Sequence, residues 1–404
     1  MGPLKGGFVT RIINPNFDLT SPPPVMESRR WLDGMDFAPD RPLINLSQAA
    51  PVEPPPKSLR AALAEAALND PGAHLYGPVL GLPELRAEVA SQWSQAYGGA
   101  ISPGNVAITS GCNQAFCAAV STLARAGDAV LIPAPWYFNH KMWLDMMGIK
   151  ARVLPLNADM HPDVVAAKAL IDDKTRAIVL VTPNNPVGVE YPGELLAQFY
   201  DLAKAKGITL IVDETYRDFD SRSGAPHSLF DKNDWDSTLI HLYSFSKAYR
   251  LTGHRVGAMI AAPARLAAAE KFLDTMTICP NQLGQRGALF GLLNLSDWLA
   301  GQRSEILARR AAITSAIAGL TGWTLLGVGA YFTYVAHPFD LGSTEVAKKL
   351  LRDQSVLMLP GTMFAPTLEQ GGDGAPERQL RIAYANVDRR EIAALFDRLH
   401  AFST

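Results

Sequence analysis

The sequence predicts an α/β protein: a large domain with a mostly parallel sheet between helices, joined to a smaller α+β domain. Two observations carry this reading. From about Lys57 onward, apolar runs of strand length alternate with helical patterns, and after about Asn281 the pattern changes to long helical stretches followed by short strand candidates. Apolar runs that are continuous rather than alternating belong to strands buried on both faces, and the helices between them imply parallel neighbours.

In chain order, VAITS at 106–110 is a strand candidate followed by a helical stretch from Asn113 to Ala126. AVLIP at 129–133 precedes a helical pattern around His140–Met147, and AIVLVTP at 177–183 precedes the amphipathic stretch Glu194–Lys206. ITLIVDE at 208–214, LIHLYSFS at 239–246 and VGAMIAAP at 256–263 complete the first series. The second series comprises helices over Gln285–Leu295 and Asp297–Leu320, strands AYFTYVA at 330–336 and QLRIAYA at 379–385, and a terminal helix over Asp388–Phe402. The proline-rich pieces SPPP at 21–24 and PVEPPP at 51–56 cannot continue a helix and read as extended connectors.

Composition narrows the function. The chain has 404 residues, 48% hydrophobic and 19% charged, enough apolar material for a large core and too much for a disordered chain. With 37 Lys plus Arg against 39 Asp plus Glu, no global field is available to hold nucleic acid or an anionic membrane. Cys112, Cys117 and Cys279 cannot build a disulfide framework and lack paired Cys/His spacing for zinc, so no metal site is expected. The first thirty residues carry no signal-peptide pattern, and no apolar run reaches the roughly 18 residues of a membrane span. A soluble, cytoplasmic protein is expected.

Residues able to do chemistry cluster at the carboxyl ends of the strand candidates, where open parallel sheets place ligands. VTPNNPVG carries Asn184, Asn185 and Pro186. IVDETY carries Asp213, Glu214 and Tyr216, and LYSFSKAYRLTGHR carries Ser244, Ser246, Lys247 and Arg255. Taken singly, each has an ordinary explanation: Asn–Pro after a strand makes a turn, and an aspartate at a strand end caps or closes a loop. SGCNQA sets Gly111, Cys112 and Asn113 at a helix start, where free N–H groups and the helix dipole favour an anion.

Their combination and order, from LSQAAP near residue 46 to RIAYA ending at residue 385, resemble the class I/II aminotransferases, the fold type I enzymes that use pyridoxal 5′-phosphate. The resemblance implies a large cofactor-binding domain over 50–290 and a small domain formed by both termini, 1–49 and 291–404. It implies amino-group transfer between an L-amino acid and a 2-oxo acid through an imine at Lys247, the catalytic amine. Asp213 would pair with the pyridine nitrogen, and Tyr216 and Asn185 with the phenolic oxygen. Tyr137, rather than Trp136, would stack on the cofactor. Gly111, Cys112, Asn113, Ser244, Ser246 and Arg255 would surround the phosphate.

The resemblance further assigns Arg381, not Arg378, to the substrate α-carboxylate. Tyr76 would reach the phosphate of a neighbouring subunit, so a homodimer with shared sites is expected. Ala49 stands where the family usually has glycine, on the substrate side, and a methyl group there narrows the pocket or moves the chain. His140 occupies a place often held by tyrosine, where it would be a substrate-side donor, although a histidine on a helix is more often packed or solvated. A carbon–sulfur β-lyase sharing the same cofactor motifs is the alternative activity, while a regulator would need a DNA-binding module that the sequence does not present. A second pocket arginine would favour dicarboxylic substrates, and Arg286, Arg29 and Arg30 remain open candidates.

Overall fold

The computed structural model describes residues 13–402. It opens with two short helices, Pro15–Asp18 and Pro24–Arg30, and a two-residue strand β1 (Ile44–Asn45). SPPP therefore does not stay extended throughout: Pro24 starts the second helix, where a missing N–H costs nothing because no helical partner exists there.

Seven strands follow: β2 (Val106–Thr109), β3 (Ala129–Pro133), β4 (Lys150–Leu154), β5 (Thr175–Val181), β6 (Thr209–Asp213), β7 (Leu239–Ser244) and β8 (Gly257–Ile260). They form one sheet in the order β2-β8-β7-β6-β5-β3-β4. β3 through β7 pair in parallel, and β8 runs antiparallel between β7 and β2. Alternate residues feed two cores: Ile108, Leu131, Ile178 and Leu210 pack on one face, and Ala107, Val130, Val179 and Ile211 on the other. This two-sided burial is why the strands read as unbroken apolar runs.

The remaining strands are β9 (Thr324–Gly329), β10 (Phe332–Ala336), β11 (Val356–Leu357), β12 (Leu359–Pro360) and β13 (Gln379–Ala383). Four of them form an antiparallel sheet in the order β12-β13-β10-β9, packed with the long helix Ser296–Ala318 and the terminal helix Arg389–Ala401 around a third core. β1 pairs in parallel with β11, and the Ala383 N–H donates to Leu46 O at 3.0 Å. Residues 44–50 thus form a strap tied to the smaller sheet. The helix expected from Gln285 starts earlier, at Gln282, because the Asn281 side chain accepts from Gly284 N–H at 2.7 Å and caps it.

Behind the loop that follows β6 lies a buried polar knot. Glu214 Oε2 accepts from His241 Nε2 at 2.7 Å and from the Tyr97 hydroxyl, with His227 Nε2 at 3.5 Å. Burial alone would raise the Glu214 pKa, but the two histidines hold it well below the usual carboxylate range. Arg217 stacks 3.7 Å from the Trp93 ring on the same side. Glu214→Gln is expected to cost about 2–4 kcal/mol in urea unfolding, because a buried network loses its ionised acceptor; an unchanged midpoint and slope would contradict this.

Candidate active site

The antiparallel course of β8 builds the site. Arg255 precedes it, so its amino end lies level with the carboxyl ends of β2 and β7, where Thr109 and Ser244 both pair with Gly257. A Cβ on Gly257 would stand 2.6 Å from Gly111 C and 2.7 Å from Cys112 N, so glycine alone permits this backbone approach. Gly111, at φ 88°, caps the helix Cys112–Leu123 and turns its first amides toward the same end of the sheet.

These elements close around a cleft of about 350 Å³. Of the residues expected from sequence, Ala49, Cys112, Asn113, Tyr137, Asn185, Asp213, Tyr216, Ser244, Ser246, Lys247, Arg255 and Arg381 all line it. Gly111 lies behind the Arg255 guanidinium, where a Cβ would come within 2.2 Å of Nη2. Tyr76 is not brought in: it is 80% exposed and lines no part of the cleft within one chain.

Lys247, in the short helix Phe245–Ala248, donates from Nζ to the Ala49 carbonyl at 2.6 Å. Burial first, then the charges of Arg255 and Arg381, lower its pKa to about 8. Ala49 acts here through its backbone. Asn386 fixes that strap by accepting from Ala50 N–H at 3.0 Å and donating to Gln48 O.

Asp213 ends β6, nearly fully buried. Its Oδ1 accepts from the Thr215 N–H at 3.0 Å and the Thr215 hydroxyl at 2.7 Å, and its Oδ2 stands 3.3 Å from His140 Nε2. Burial opposes ionisation, but His140 and Thr215 together hold the carboxyl below its ordinary range. His140 itself is stacked on Phe116 with centroids 3.8 Å apart. Its place beside Asp213 makes it part of the site, a role its helical position alone did not reveal. Thr215 was missed altogether, although Asp-x-Thr after a strand is an Asx-turn signature that could have marked it.

Tyr137 donates to Asn113 Oδ1 at 3.1 Å and accepts from Asn139 Nδ2 at 2.8 Å. Burial raises the Tyr137 and Tyr216 hydroxyl pKa values and the Cys112 thiol pKa, so all three stay protonated near neutrality. Ser244 Oγ accepts from Ser246 N–H at 3.3 Å, and Arg255 Nη1 stands 3.4 Å from Ser246 Oγ. Arg381 donates to Asn185 Oδ1 at 3.0 Å and to Ser47 O, while its Nε has no partner among the described residues although the side chain is buried. Burial lowers its pKa to about 10. Arg378 points elsewhere, donating to Asp340 at 2.8 Å.

The three open arginines separate cleanly. Arg286 pairs with Asp70 at 2.6 Å and Arg30 with Glu27 at 2.8 Å, both outside the cleft. Arg29 lines the cleft and donates to the neutral Gln48 amide oxygen at 2.6 Å.

The profile of the family described as Aminotransferase class I and II matches residues 41–399. The chain is 30% identical over 334 residues to a valine–pyruvate aminotransferase of Mycobacterium tuberculosis, covering 80% of this chain and 83% of that protein. It is 29% identical over 358 residues to the aromatic aminotransferase ISS1 of Arabidopsis thaliana, covering 86% of each. An aspartate aminotransferase from Thermus thermophilus, solved with maleate, shares the fold with TM-score 0.86 at 21% identity, over 97% of this chain and 99% of that one.

The chain belongs to the class I and II aminotransferase family. It is an aminotransferase of fold type I and depends on pyridoxal phosphate. The residues of the cleft fit that cofactor: helix-start amides, two serine hydroxyls and Arg255 suit a phosphate, an ionised buried carboxylate suits a pyridine nitrogen, and a lysine of lowered pKa suits an aldehyde. Gly111→Ala is expected to weaken cofactor binding by about 10- to 100-fold, since a strained backbone of about 1–3 kcal/mol and a displaced Arg255 fall on the phosphate end. Equilibrium dialysis against pyridoxal phosphate checks this, and an unaltered Kd would refute it.

Proposed function

We propose that Lys247 is the amine that carries the cofactor and moves the proton in transfer of an amino group from an L-amino acid to a 2-oxo acid. The observation that supports this best is Lys247, the lysine that lines the cleft, half-buried and of pKa about 8, facing the same space as Asp213 and Arg381. Pyridoxal phosphate, when bound, supplies an aldehyde that takes up amino groups and a ring that accepts the electrons released from the substrate α-carbon.

The chain's own groups do the rest. Arg381, which lines the cleft, forks the substrate α-carboxylate through its planar guanidinium. That contact orients the α-hydrogen toward Lys247 Nζ, which at its lowered pKa takes the proton as a base and returns it as an acid. Asp213 would hold a proton on the ring nitrogen, its Oδ1 bonded by Thr215 and its Oδ2 3.3 Å from His140 Nε2. Asn185 and Tyr216 would donate to the cofactor's phenolic oxygen, and Tyr137 would hold its ring. Gly111, Cys112, Asn113, Ser244, Ser246 and Arg255 would hold the phosphate through backbone amides, hydroxyls and the guanidinium.

We assign residues 50–290 to the cofactor-binding domain, and 1–49 with 291–404 to the small one. Residues 1–12 and 403–404 of that assignment lie outside the described residues. The strap at 44–50, tied to the smaller sheet, supports placing the amino-terminal segment there. Exposed Tyr76, beside exposed Leu75, supports a homodimer in which Tyr76 completes the partner's phosphate site. Tyr76→Phe is expected to weaken cofactor binding several-fold without changing the sedimentation coefficient; an unaltered cofactor Kd would remove Tyr76 from the site. A cytoplasmic, biosynthetic setting agrees with three unpaired cysteines, and no helix among the described residues is long and apolar enough to cross a membrane.

The test is a half-reaction. The holoenzyme is given one L-amino acid and no oxo acid. One equivalent of 2-oxo acid per site should appear and then stop, and a second oxo acid should restart the cycle. Continuous release of ammonia would overturn this reading.

A further inference from the structure

Two carboxylates stand side by side at the end of β6, and the proposed function employs only Asp213. Glu214 lies outside the cleft and is 1% exposed. Taking a carboxylate out of water is costly, and an apolar residue of similar size avoids that cost. What surrounds it is specific. The Tyr97 hydroxyl donates to its Oε2, His241 Nε2 lies 2.7 Å from the same oxygen, and His227 Nε2 lies 3.5 Å from it. Leu229 N–H donates to His227 Nδ1 at 3.2 Å, so the proton of that ring sits on Nε2, facing Glu214. An ionised carboxylate only accepts, so His241 Nε2 carries its proton as well. The rings act as donors around an anion, not as ligands around a cation.

These groups come from separate elements. Tyr97 ends the helix Pro83–Tyr97, His227 lies in the connection between β6 and β7, and His241 is on β7. In extended chain, successive side chains point to opposite faces. Asp213 accordingly faces the cleft, while Glu214 meets Tyr97 in the core behind the sheet. The peptide between them is held on both sides: Thr182 N–H donates to Asp213 O at 3.0 Å, and Glu214 N–H donates to Leu242 O at 2.9 Å. From His241, β7 runs on to Ser244 and the short helix that carries Lys247. The Glu214–His241 pair thus joins the strand end bearing Asp213 to the strand that leads to Lys247.

We infer that Glu214 is a positioning residue for the reaction: its buried anion draws His241, Tyr97 and His227 together and so fixes the end of β6, with the Asp213 carboxylate, relative to Lys247. The inference rests on the aminotransferase reading and adds to it a residue that acts from outside the cleft. Glutamine at 214 keeps the size, but it puts an amide in place of one oxygen and leaves the three donors a neutral, weaker acceptor.

The experiment compares wild type, Glu214→Gln and Tyr97→Phe as holoenzymes, well below their unfolding temperatures. Tyr97→Phe removes one donor and adds no charge, and it carries the same comparisons if Glu214→Gln does not fold. The half-reaction rate should fall by about 10-fold in Glu214→Gln, within the range that a misplacement of about 1 Å costs, and by a smaller factor in Tyr97→Phe. KM for the amino acid should not change, because Arg381 is untouched. In an Asp213→Asn background, Glu214→Gln should slow the step far less, since the charge that it positions is already gone. In the apoenzyme, the His140 Nε2 ¹⁵N resonance reports the 3.3 Å contact with Asp213 and should move in Glu214→Gln. A folded variant with the wild-type half-reaction rate, an equal loss in both backgrounds, or an unmoved His140 resonance overturns the inference and leaves a knot that stabilises the fold only. Those outcomes leave the aminotransferase reading intact, whereas absence of oxo-acid formation by the wild type from every amino acid would overturn that reading by itself.

Discussion

Lys247→Ala is expected to lower transamination by at least about 10⁴-fold, the upper range of what a positioned acid–base group contributes, because the variant loses both the cofactor-bearing amine and the proton carrier. Pyridoxal phosphate should still bind through the phosphate end of the cleft, but without covalent attachment. The apoenzyme gives an independent sign. The folded pKa of Lys247, about 8, lies below the ordinary lysine value of 10.5, so the unfolded chain holds more protons across that window. Wild-type stability gains a term that rises with pH from about 8 to 10.5, and this rise should be missing from Lys247→Ala in urea titrations at pH 7 and pH 10. Near-normal turnover in the variant would sink the assignment.

The second large effect is expected at Asp213. In the proposed role, Asp213→Asn removes the charge that would keep a proton on the ring nitrogen, and the proton-abstraction step should slow by about 10²–10³-fold, comparable to losing one preorganised electrostatic contact. Cofactor affinity should change much less, since the phosphate-end groups are untouched. Rapid-mixing measurement of the half-reaction separates the two; equal losses in affinity and rate would mean that Asp213 acts as an anchor only. His140→Asn should reproduce part of the rate loss, because His140 stands 3.3 Å from Asp213 Oδ2.

How much of this was legible in the sequence follows from burial. β3, over Ala129–Pro133, coincides with its apolar run because both of its faces meet packed side chains. β4, over Lys150–Leu154, was not read as a strand: it lies at the sheet edge, where the charged Lys150 and Arg152 interrupt the apolar pattern. β9, over Thr324–Gly329, was also passed over; it is interrupted by Gly327 and Gly329, which allow close approach to Val187 and Gly188. Motif residues at strand ends were readable because sheet topology sends every parallel carboxyl end to one edge.

The site was less legible where long-range contacts decide it. Nothing local to His140 points to Asp213, 73 positions away in sequence but adjacent across the sheet edge. The three candidate arginines could be separated only by their partners, since Asp70, Glu27 and Gln48 come from different parts of the chain. Tyr76 marks the reverse case: its motif implies a place at a phosphate site, whereas in the single chain it stands exposed and away from the cleft.

The central claim, that Lys247 bears the cofactor, is tested most directly by borohydride reduction of the holoenzyme followed by proteolysis and mass spectrometry. The account predicts that the reduced cofactor's mass is found on the peptide containing Lys247 and on no other lysine. Attachment at another lysine, or full activity with no covalent attachment anywhere, would contradict it.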